Sequence, residues 1–360
     1  MARRGVWGRR VFVGVALSAG LVSVIALPLA ADPVGQFTEF TVPTAGSEPA
    51  SIAAGPDGNL WFTESASVAN NIGRITPDGT FTEFLIPTPN SKPARIAAGP
   101  DGNVWFTENQ GNKIGRITPS GTITEFTIPT AHSLPAGIVA GPDGNLWFTE
   151  SAGSANKIGR ITPSGTFTEF TIPTPDSDPA GIAAGPDGNL WFVEHIGNNI
   201  GRITPSGTFT EFTIPTALSD PTGIAKGSDG NLWFTESANA GNNIGRITPS
   251  GTFTEFPIPT SDSTPAQIAA GCDGNLWFAE ESTSANNMGR ITTAGTITEF
   301  PIPTASSEPT GVAAGPDNNM WFTELNANNV AKIGAGCVTP VFTGPAPAPA
   351  AVVVTPTFTG

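Results

Sequence analysis

Two histidines are the first candidates for acid–base chemistry in this sequence, because its 360 residues contain no others. His195 directly follows Glu194, and His132 lies upstream in a polar loop segment. An imidazole can accept a proton near neutral pH, and with Glu194 and Asp178 it could also bind a metal ion. These four residues are therefore candidates for an acid–base or metal cluster. Simple exposure of both histidines on loops is the alternative.

Glutamates form a larger set, because one phrase, GPDGNLWFTE, recurs along the chain from Gly55–Glu64 onward. Its final glutamate has no basic residue matched to it. Carboxylates of this kind can bind cations, amines or hydroxyl groups, so we predict an acidic ligand-binding face; solvation or hydrogen bonding to loop amides is the alternative. The glutamates that end this phrase are Glu64, Glu108, Glu150, Glu194, Glu236, Glu280 and Glu324.

A second set of glutamates lies in a recurring TEF sequence, and each unit also contains one arginine or lysine in a GRIT-like sequence. Equal numbers of opposite charges on adjacent strands predict structural cross-strand pairs. The acidic members are Glu39, Glu83, Glu125, Glu169, Glu211, Glu255 and Glu299. The basic members are Arg74, Arg116, Arg160, Arg202, Arg246, Arg290 and Lys332.

The elements that position these residues follow from the spacing of the repeat, whose tryptophans recur every 42 or 44 residues. This period is typical of a four-stranded propeller blade, and no helical periodicity accompanies it. In the third unit the strands are predicted at Gly137–Gly141, Asn145–Glu150, Lys157–Thr162 and Thr166–Phe170. Seven such units predict an all-β fold, a seven-bladed β-propeller of four-stranded antiparallel blades.

The two ends of the array predict a closed ring. The last unit lacks a TEF strand, and an unmatched QFTEF sequence at Gln36–Phe40 precedes the first complete unit. Pairing of this N-terminal strand into the last blade would close the ring and remove exposed strand edges. A strand at Val338–Thr343 is the alternative for the missing position.

Composition and charge divide the chain into three parts. Residues 1–31, with a basic start and an apolar run, are predicted to be an export signal. Residues 32–338 are predicted to form the propeller, and residues 339–360, rich in Pro and Ala, a flexible tail. We therefore expect a monomer that is secreted or held in the cell envelope.

The net charge is −14, and without the four arginines of the first ten residues it is −18. This acidic balance argues against nucleic acid and, after signal cleavage, against a membrane as partner. A small-molecule or cell-surface ligand on the acidic face fits better.

The two cysteines depart from the repeat. Cys272 replaces the proline of GPDG, and Cys337 replaces a glycine in the last unit. Both predicted turns lie in adjacent blades, on the face opposite the glutamates. A disulfide between them would stabilise the last blade near the closure of the ring, and the sequence leaves its formation open.

The motifs PAGIAAGPDGNLWFTE, NKIGRIT and TFTEFTIPT, repeated over residues 36–337, resemble those of the virginiamycin B lyase family. The resemblance implies a seven-bladed β-propeller. It also implies a magnesium-dependent lyase that linearises streptogramin B antibiotics by elimination at the ester bond of the ring.

The family's catalytic base is a histidine in a Glu-Pro-His-Gly-Ile loop, and this chain has Glu308-Pro309-Thr310-Gly311-Val312 there. The resemblance implies that Glu308 and Glu324 lie near Mg²⁺, but the base position holds Thr310. A threonine hydroxyl cannot abstract a proton near neutral pH as an imidazole can. The equivalents in the other blades are Ala50, Ala94, Ala136, Ala180, Thr222 and Ala266.

Three hypotheses of function follow. The first is a non-catalytic propeller that binds a ligand or partner through its acidic face, because the base is missing and the blades are nearly identical. The second is a magnesium-dependent lyase that opens a cyclic ester with His132 or His195 as a substitute base. The third is a cell-envelope spacer or adhesion module that uses the C-terminal tail.

Overall fold

The computed structural model describes residues 32–238 and 241–337, which fold into 28 β-strands. The predicted export signal, residues 1–31, and the predicted tail, residues 339–360, lie outside the described residues. Within the described ranges there is no helix long and apolar enough to cross a membrane.

Each blade contains four strands, which follow one another in order from the central channel to the rim of the ring. The innermost strands are β2 (Pro49–Ala54), β6 (Pro93–Ala98), β10 (Pro135–Ala140), β14 (Pro179–Ala184), β18 (Pro221–Lys226), β22 (Pro265–Ala270) and β26 (Pro309–Ala314). The second strands are β3 (Leu60–Glu64), β7 (Val104–Glu108), β11 (Leu146–Glu150), β15 (Leu190–Glu194), β19 (Leu232–Glu236), β23 (Leu276–Glu280) and β27 (Asn319–Glu324).

The third strands carry the basic residue of each unit. They are β4 (Asn71–Ile75), β8 (Lys113–Ile117), β12 (Lys157–Ile161), β16 (Asn199–Ile203), β20 (Asn243–Ile247), β24 (Asn287–Ile291) and β28 (Asn329–Gly334). The outermost strands are β1 (Phe37–Thr41), β5 (Phe81–Leu85), β9 (Ile123–Thr127), β13 (Phe167–Thr171), β17 (Phe209–Thr213), β21 (Phe253–Pro257) and β25 (Ile297–Pro301).

The strands form seven separate antiparallel sheets, and the predicted propeller is confirmed. Six sheets use consecutive strands, whereas the seventh has the order β1-β28-β27-β26. Phe37 pairs with Ile333, and Thr41 pairs with Asn329, so the N-terminal strand is the outer strand of the last blade. The predicted closure of the ring is therefore correct, and the position that Val338–Thr343 would have filled is already taken.

The GPDGNLWFTE phrase forms a tight turn that fixes the buried tryptophan. In the first blade Asp57 accepts hydrogen bonds from Trp61 Nε1 at 3.0 Å and from Asn59 Nδ2 at 2.8 Å. The guanidinium of Arg74 lies 5.4 Å from the Trp61 ring, and the Phe84 ring stacks on the same indole at 5.5 Å. The phrase recurs because each blade needs this hydrogen-bonded and stacked arrangement once.

Packing between blades uses the same tryptophan. Trp61 belongs to one core cluster with Val104, Phe106 and Ile117 of the second blade, and none of these side chains is more than 1% exposed. The equivalent cluster at the closure joins Trp321 of the last blade to Phe62 of the first. Seven such clusters lie around the ring, so the core of the protein is distributed between blades.

The predicted cross-strand pairs between TEF glutamates and arginines are wrong. Glu83 lies opposite Gly73, whereas Arg74 lies opposite Thr82, so the two charged side chains point to opposite faces of the sheet. Glu83 accepts hydrogen bonds from the backbone N–H and hydroxyl of Thr44 at 3.0 Å. The glutamate therefore fixes the connection that enters the blade.

The structure joins Cys272 and Cys337 in a disulfide, with Cα atoms 5.7 Å apart. Cys272 lies in the turn between β22 and β23, and Cys337 follows β28. The bond therefore connects the sixth blade to the seventh beside the strand that closes the ring.

Candidate functional site

An irregularity at the start of every innermost strand aims side chains into the channel. In β6 the pairing with β7 shifts between Pro93 and Ile96. The freed N–H of Arg95 donates to Thr107 Oγ1 at 3.0 Å, and the Thr107 hydroxyl donates to the Ala136 carbonyl of the next blade at 2.8 Å. Bulges of this kind redirect side chains and are frequent at functional sites. Here the bulge turns Arg95 toward the central axis.

A cavity of about 350 Å³ lies where the channel opens on the face that carries the ends of the second strands. Ala50, Arg95, Glu281, Thr310 and Leu325 are among its lining residues. A narrower space of about 100 Å³, walled mainly by glycines and isoleucines of the innermost strands, continues into the channel and shares Arg95 with it. We call the larger cavity the channel mouth.

Three positions per blade lie on the face where the channel opens, and they differ between blades although the scaffold around them is repeated. Only members from the first, second, sixth and seventh blades line the channel mouth itself. The first position precedes the proline of the innermost strand and holds Glu48, Lys92, Leu134, Asp178, Asp220, Thr264 and Glu308. The second follows the glutamate of the second strand and holds Ser65, Asn109, Ser151, His195, Ser237, Glu281 and Leu325. The third lies in the bulge and holds Ser51, Arg95, Gly137, Gly181, Gly223, Gln267 and Gly311.

The first of these positions has an uncommon backbone conformation in every blade. All seven residues have φ between 48° and 53°, and they include Leu134 and the β-branched Thr264. Such residues favour negative φ, and holding them in the left-handed region costs on the order of 1 kcal/mol or more each. The carbonyl of Glu48 accepts a hydrogen bond from the N–H of Ser65 at 3.1 Å, and the other blades repeat this contact. The repeated backbone thus carries five different residue types at seven equivalent positions.

Charge is unevenly distributed around the channel mouth. The second blade contributes Lys92 and Arg95, and the sixth and seventh blades contribute Glu281 and Glu308. Burial lowers the pKa of Arg95 to about 10, with Glu281 opposing the shift, so the guanidinium stays protonated at neutral pH. Burial, with the nearby Glu308 carboxylate, raises the pKa of Glu281 against the opposing effect of Arg95. The cavity therefore has one cationic side and one anionic side.

The structure corrects the expected acidic face formed by the glutamates of the second strands. Glu64, Glu108, Glu150, Glu194, Glu236, Glu280 and Glu324 are all 0% exposed. Each belongs to a second strand whose residues are all buried, so its carboxyl group does not reach the surface. A ligand on the surface cannot contact them in this arrangement.

Each of these buried glutamates has at least one carboxyl oxygen without a hydrogen-bond partner among the described residues. Glu194, for example, accepts a bond only from Asn199 Nδ2, at 3.0 Å. Burial raises the pKa of Glu194 to about 8, the bond from Asn199 opposes the shift, and the nearby Glu211 carboxylate adds to it. The protonated form is therefore favoured near neutral pH.

The two residues expected near a magnesium ion do not form a ready ion site. Glu324 is buried, and burial, with the neighbouring Glu39 carboxylate, raises its pKa to about 8 despite the bond from Asn329. Glu308 instead lies near Glu281, which lines the channel mouth. Residues 32–238 and 241–337 contain no cluster of three His, Cys, Asp or Glu side chains suited to a metal.

The histidines do not form the expected four-residue cluster. His195 Nδ1 lies 3.1 Å from Asp178 Oδ2, and this hydrogen bond raises the pKa of His195. His132 is exposed and has no hydrogen bond to the other three residues. Glu194 is buried and bonds Asn199 instead. The structure thus joins His195 with Asp178 and leaves the other two residues apart.

Thr310 occupies the position that the family resemblance assigns to the base. It is 9% exposed, and its hydroxyl donates to the Ala50 carbonyl of the first blade at 3.1 Å. The Thr323 hydroxyl lies 3.0 Å away and also accepts the N–H of Gly311. Thr310 therefore holds two blades together at the channel mouth.

Sequence reasoning missed Arg95 and Glu281. The signal was present, because Arg95 is the only cation among the seven residues of its position, and Glu281 the only acid at its own. It becomes visible when the seven units are compared position by position and the residues that differ are mapped onto one face.

The comparisons with known proteins agree with this architecture. The model of the virginiamycin B lyase family matches residues 30–176 and 155–357. A structure described as streptogramin B lyase is 39% identical, with a TM-score of 0.78 over 83% of this chain and 97% of that one. Virginiamycin B lyase from Staphylococcus aureus is 44% identical, with a TM-score of 0.77 over 83% and 99% of the two chains.

A further structure of the Staphylococcus aureus enzyme is a catalytically inactive histidine-to-alanine variant with quinupristin, also 44% identical, with a TM-score of 0.77 over 83% and 99% of the two chains. No curated protein matches this chain. The repeat, the closed ring of seven blades and these matches together show that the chain belongs to the virginiamycin B lyase family.

Proposed function

We propose that this chain is a non-catalytic, ligand-binding member of its family and that its ligand binds at the channel mouth. The ligand is a small molecule or an exposed group of a cell-surface partner. The protein acts as a secreted or cell-envelope monomer, with residues 1–31 as its export signal.

The feature that supports this proposal most is Thr310, at the position that the family resemblance assigns to the base. Its hydroxyl already donates to the Ala50 carbonyl, and a threonine hydroxyl has no basicity near neutral pH. His195 and His132 are not among the residues that line the channel mouth. Proton abstraction from a ligand in this cavity would therefore lack a base.

Binding is supported by the concentration of varied side chains on one face. Residues that recur in every blade serve the blade, whereas a ligand needs an asymmetric set of contacts. The channel mouth supplies such a set, because charged, polar and apolar side chains occupy equivalent positions in different blades. Its volume of about 350 Å³ lies within the range of small-molecule sites.

The second candidate is a magnesium-dependent lyase that opens a cyclic ester, and membership of the family favours it. Magnesium would supply electrophilic assistance at the ester in such an enzyme. The carboxylates present do not fit a preformed magnesium site, and a substitute base would have to come from His132 or His195. We therefore place this function second.

The test is mass spectrometry of quinupristin incubated with the protein after removal of residues 1–31, with magnesium and with EDTA. We expect the macrocycle to stay intact under both conditions. A Thr310→His variant serves as the matched comparison, because it introduces an imidazole at the proposed base position. Magnesium-dependent formation of a linear product by the unaltered protein would overturn the proposal.

A further inference from the structure

Three charged residues at or beside the channel mouth, Arg95, Glu281 and Glu308, interact with one another only as nearby charges within the described parts of the chain. The guanidinium of Arg95 and the carboxylates of Glu281 and Glu308 take part in no hydrogen bond or ion pair, although other charged residues of the protein do. Lysines elsewhere, such as Lys113 and Lys332, contact carboxylates at 2.9 and 3.2 Å. The groups at the mouth are thus available to a ligand.

The position of Arg95 also favours the binding of a ligand. Arg95 is among the residues that line both the mouth and the channel, so it lies where the two spaces meet. A guanidinium offers up to five N–H donors and binds planar oxyanions with paired hydrogen bonds. A charge that is partly removed from water and left unpaired is costly, and an oxyanion entering from the mouth would remove that cost.

The opposite side of the same cavity is suited to a cation. Glu281 lines the mouth, and Glu308 lies close enough to influence it electrostatically. Two carboxylates with no internal donors would bind an ammonium group, which brings three donors. The lining of the mouth also includes apolar residues, among them Pro93, Ala94 and Leu325.

We infer that the channel mouth recognises a zwitterion, a small molecule that places an oxyanion on Arg95 and an ammonium group on Glu281 and Glu308. An apolar portion between the two charges would contact the wall. Amino acids, short peptides with free ends and amino-phosphates share this chemistry. The inference rests on the proposed function and specifies the ligand class of the same site.

The equivalent residues of other blades supply variants that fit the fold. Arg95→Gln reproduces the residue that Gln267 places at the same position of the sixth blade, and Glu281→Ser reproduces Ser65, Ser151 and Ser237. The matched control is Lys226→Ala, which removes one cation from the opposite end of an innermost strand. Lys226 is exposed there, and the other six blades have alanine.

Isothermal titration calorimetry with the dipeptide Ala-Leu tests the inference. We expect binding with a dissociation constant of about 1 mM or tighter. N-acetylation or C-terminal amidation of the dipeptide, Arg95→Gln and Glu281→Ser should each weaken it about 10- to 100-fold, because each removes a charged hydrogen-bonding partner. Lys226→Ala should leave it within about twofold, because this residue lies away from the mouth.

Two further probes identify the source of the charges. If O-phosphoethanolamine binds and Ala-Leu does not, and if Arg95→Gln weakens this binding about 10- to 100-fold, the ligand is a zwitterion whose oxyanion is a phosphate. Spermidine binding that is equally strong in Arg95→Gln, with no response to either zwitterion, would overturn the inference. Absence of binding by all three probes would also overturn it.

These outcomes are separate from those of the quinupristin experiment. An intact macrocycle with no zwitterion binding would reject only the ligand class, and a linear product would reject the proposed function itself. Thermal unfolding of Arg95→Gln and Glu281→Ser, with midpoints near that of the unaltered protein, would show that lost binding is not lost folding.

Discussion

The interior of the blades and the channel mouth follow opposite rules, although the same 42- or 44-residue units build both. In the interior, equivalent residues have equivalent partners: Trp61 and Trp191 each donate to an aspartate at 3.0 Å and each lie under an arginine at 5.4 Å. At the mouth, equivalent positions hold residues as different as Glu281 and Leu325. Repetition in this protein therefore marks what the ring needs, and departure from it marks where a ligand can be recognised.

The two regions also treat charge differently. Acids of the interior are neutralised by protonation, as for Glu194, or stabilised by hydrogen bonds, as for Glu83 with Thr44. Glu281 and Glu308 at the mouth have neither a donor nor an ion-pair partner in the described residues. The comparison predicts that changes in the interior alter stability, whereas changes at the mouth alter binding.

The largest expected effect comes from breaking one repeated core contact. Trp191→Ala removes an indole that is 0% exposed and stacked on Phe212, and it should lower the free energy of unfolding by about 3–5 kcal/mol. Arg95→Gln at the mouth should change it by less than about 1 kcal/mol, because another blade carries glutamine there. Urea denaturation followed by far-ultraviolet circular dichroism measures both. A mouth variant as destabilised as Trp191→Ala would remove the distinction between the regions.

The disulfide should give the next largest effect. The Cys272–Cys337 bond closes a 65-residue segment and connects the last two blades, so its reduction should cost about 2–4 kcal/mol. Thermal unfolding with and without reductant measures this loss. Cys272→Pro restores the residue of most other blades and should make the midpoint insensitive to reductant. Equal midpoints for the oxidised and reduced protein would contradict the expectation.

The buried glutamates predict a pH dependence of stability. The pKa of Glu194 is about 8 in the folded protein against an ordinary value of 4.5, so the folded state holds the proton more tightly. The contribution to stability is then complete below about pH 4.5 and is lost as the pH rises toward 8. Glu194→Gln, which resembles the protonated side chain, should be more stable than the unaltered protein at pH 9.

The matched control for this experiment is Asp262→Asn, which removes one negative charge from an exposed loop. Its melting temperature should follow that of the unaltered protein across the pH range. Parallel curves for Glu194→Gln as well would show that Glu194 is not protonated in the folded state.

The smallest effect concerns His195. Its hydrogen bond to Asp178 raises the pKa of the imidazole above 6.5, and stability from this pair should be lost as the pH rises through the folded-state pKa. Both side chains are more than one third exposed, so the change in stability is slight. Titration of the imidazole by NMR should give a lower pKa in Asp178→Asn than in the unaltered protein. An unchanged pKa would contradict the contact.

The fold was predictable because its signals are local and repeated seven times. Turn residues such as Asp57 and Gly58, the recurring tryptophan and the unmatched strand at Phe37 specify strands, period and closure without any long-range information. Pairing of side chains was less predictable, because the register between the third and outer strands places Glu83 opposite Gly73. One residue of shift in register moves a side chain to the other face of the sheet.

The site was only partly predictable for a related reason. The burial of Glu324 depends on how other segments pack around the end of its strand. The neighbouring residues in the sequence do not reveal this packing. Arg95 stands in a short apolar strand, and only the bulge at its position turns it toward the axis. Its role depends on neighbours from distant blades, such as Glu281.

The most direct test of the contrast between the two regions is carbodiimide labelling of carboxyl groups in the folded protein, with mass spectrometry to locate the labelled residues. We predict modification of Glu281, which lines the channel mouth, and of Glu48 and Glu308, which precede innermost strands on the same face, and protection of Glu64, Glu108, Glu150, Glu194, Glu236, Glu280 and Glu324. Labelling of the second set at the rate of the first would show that the repeated glutamates face the solvent, and it would contradict the assignment of the ligand site to the channel mouth.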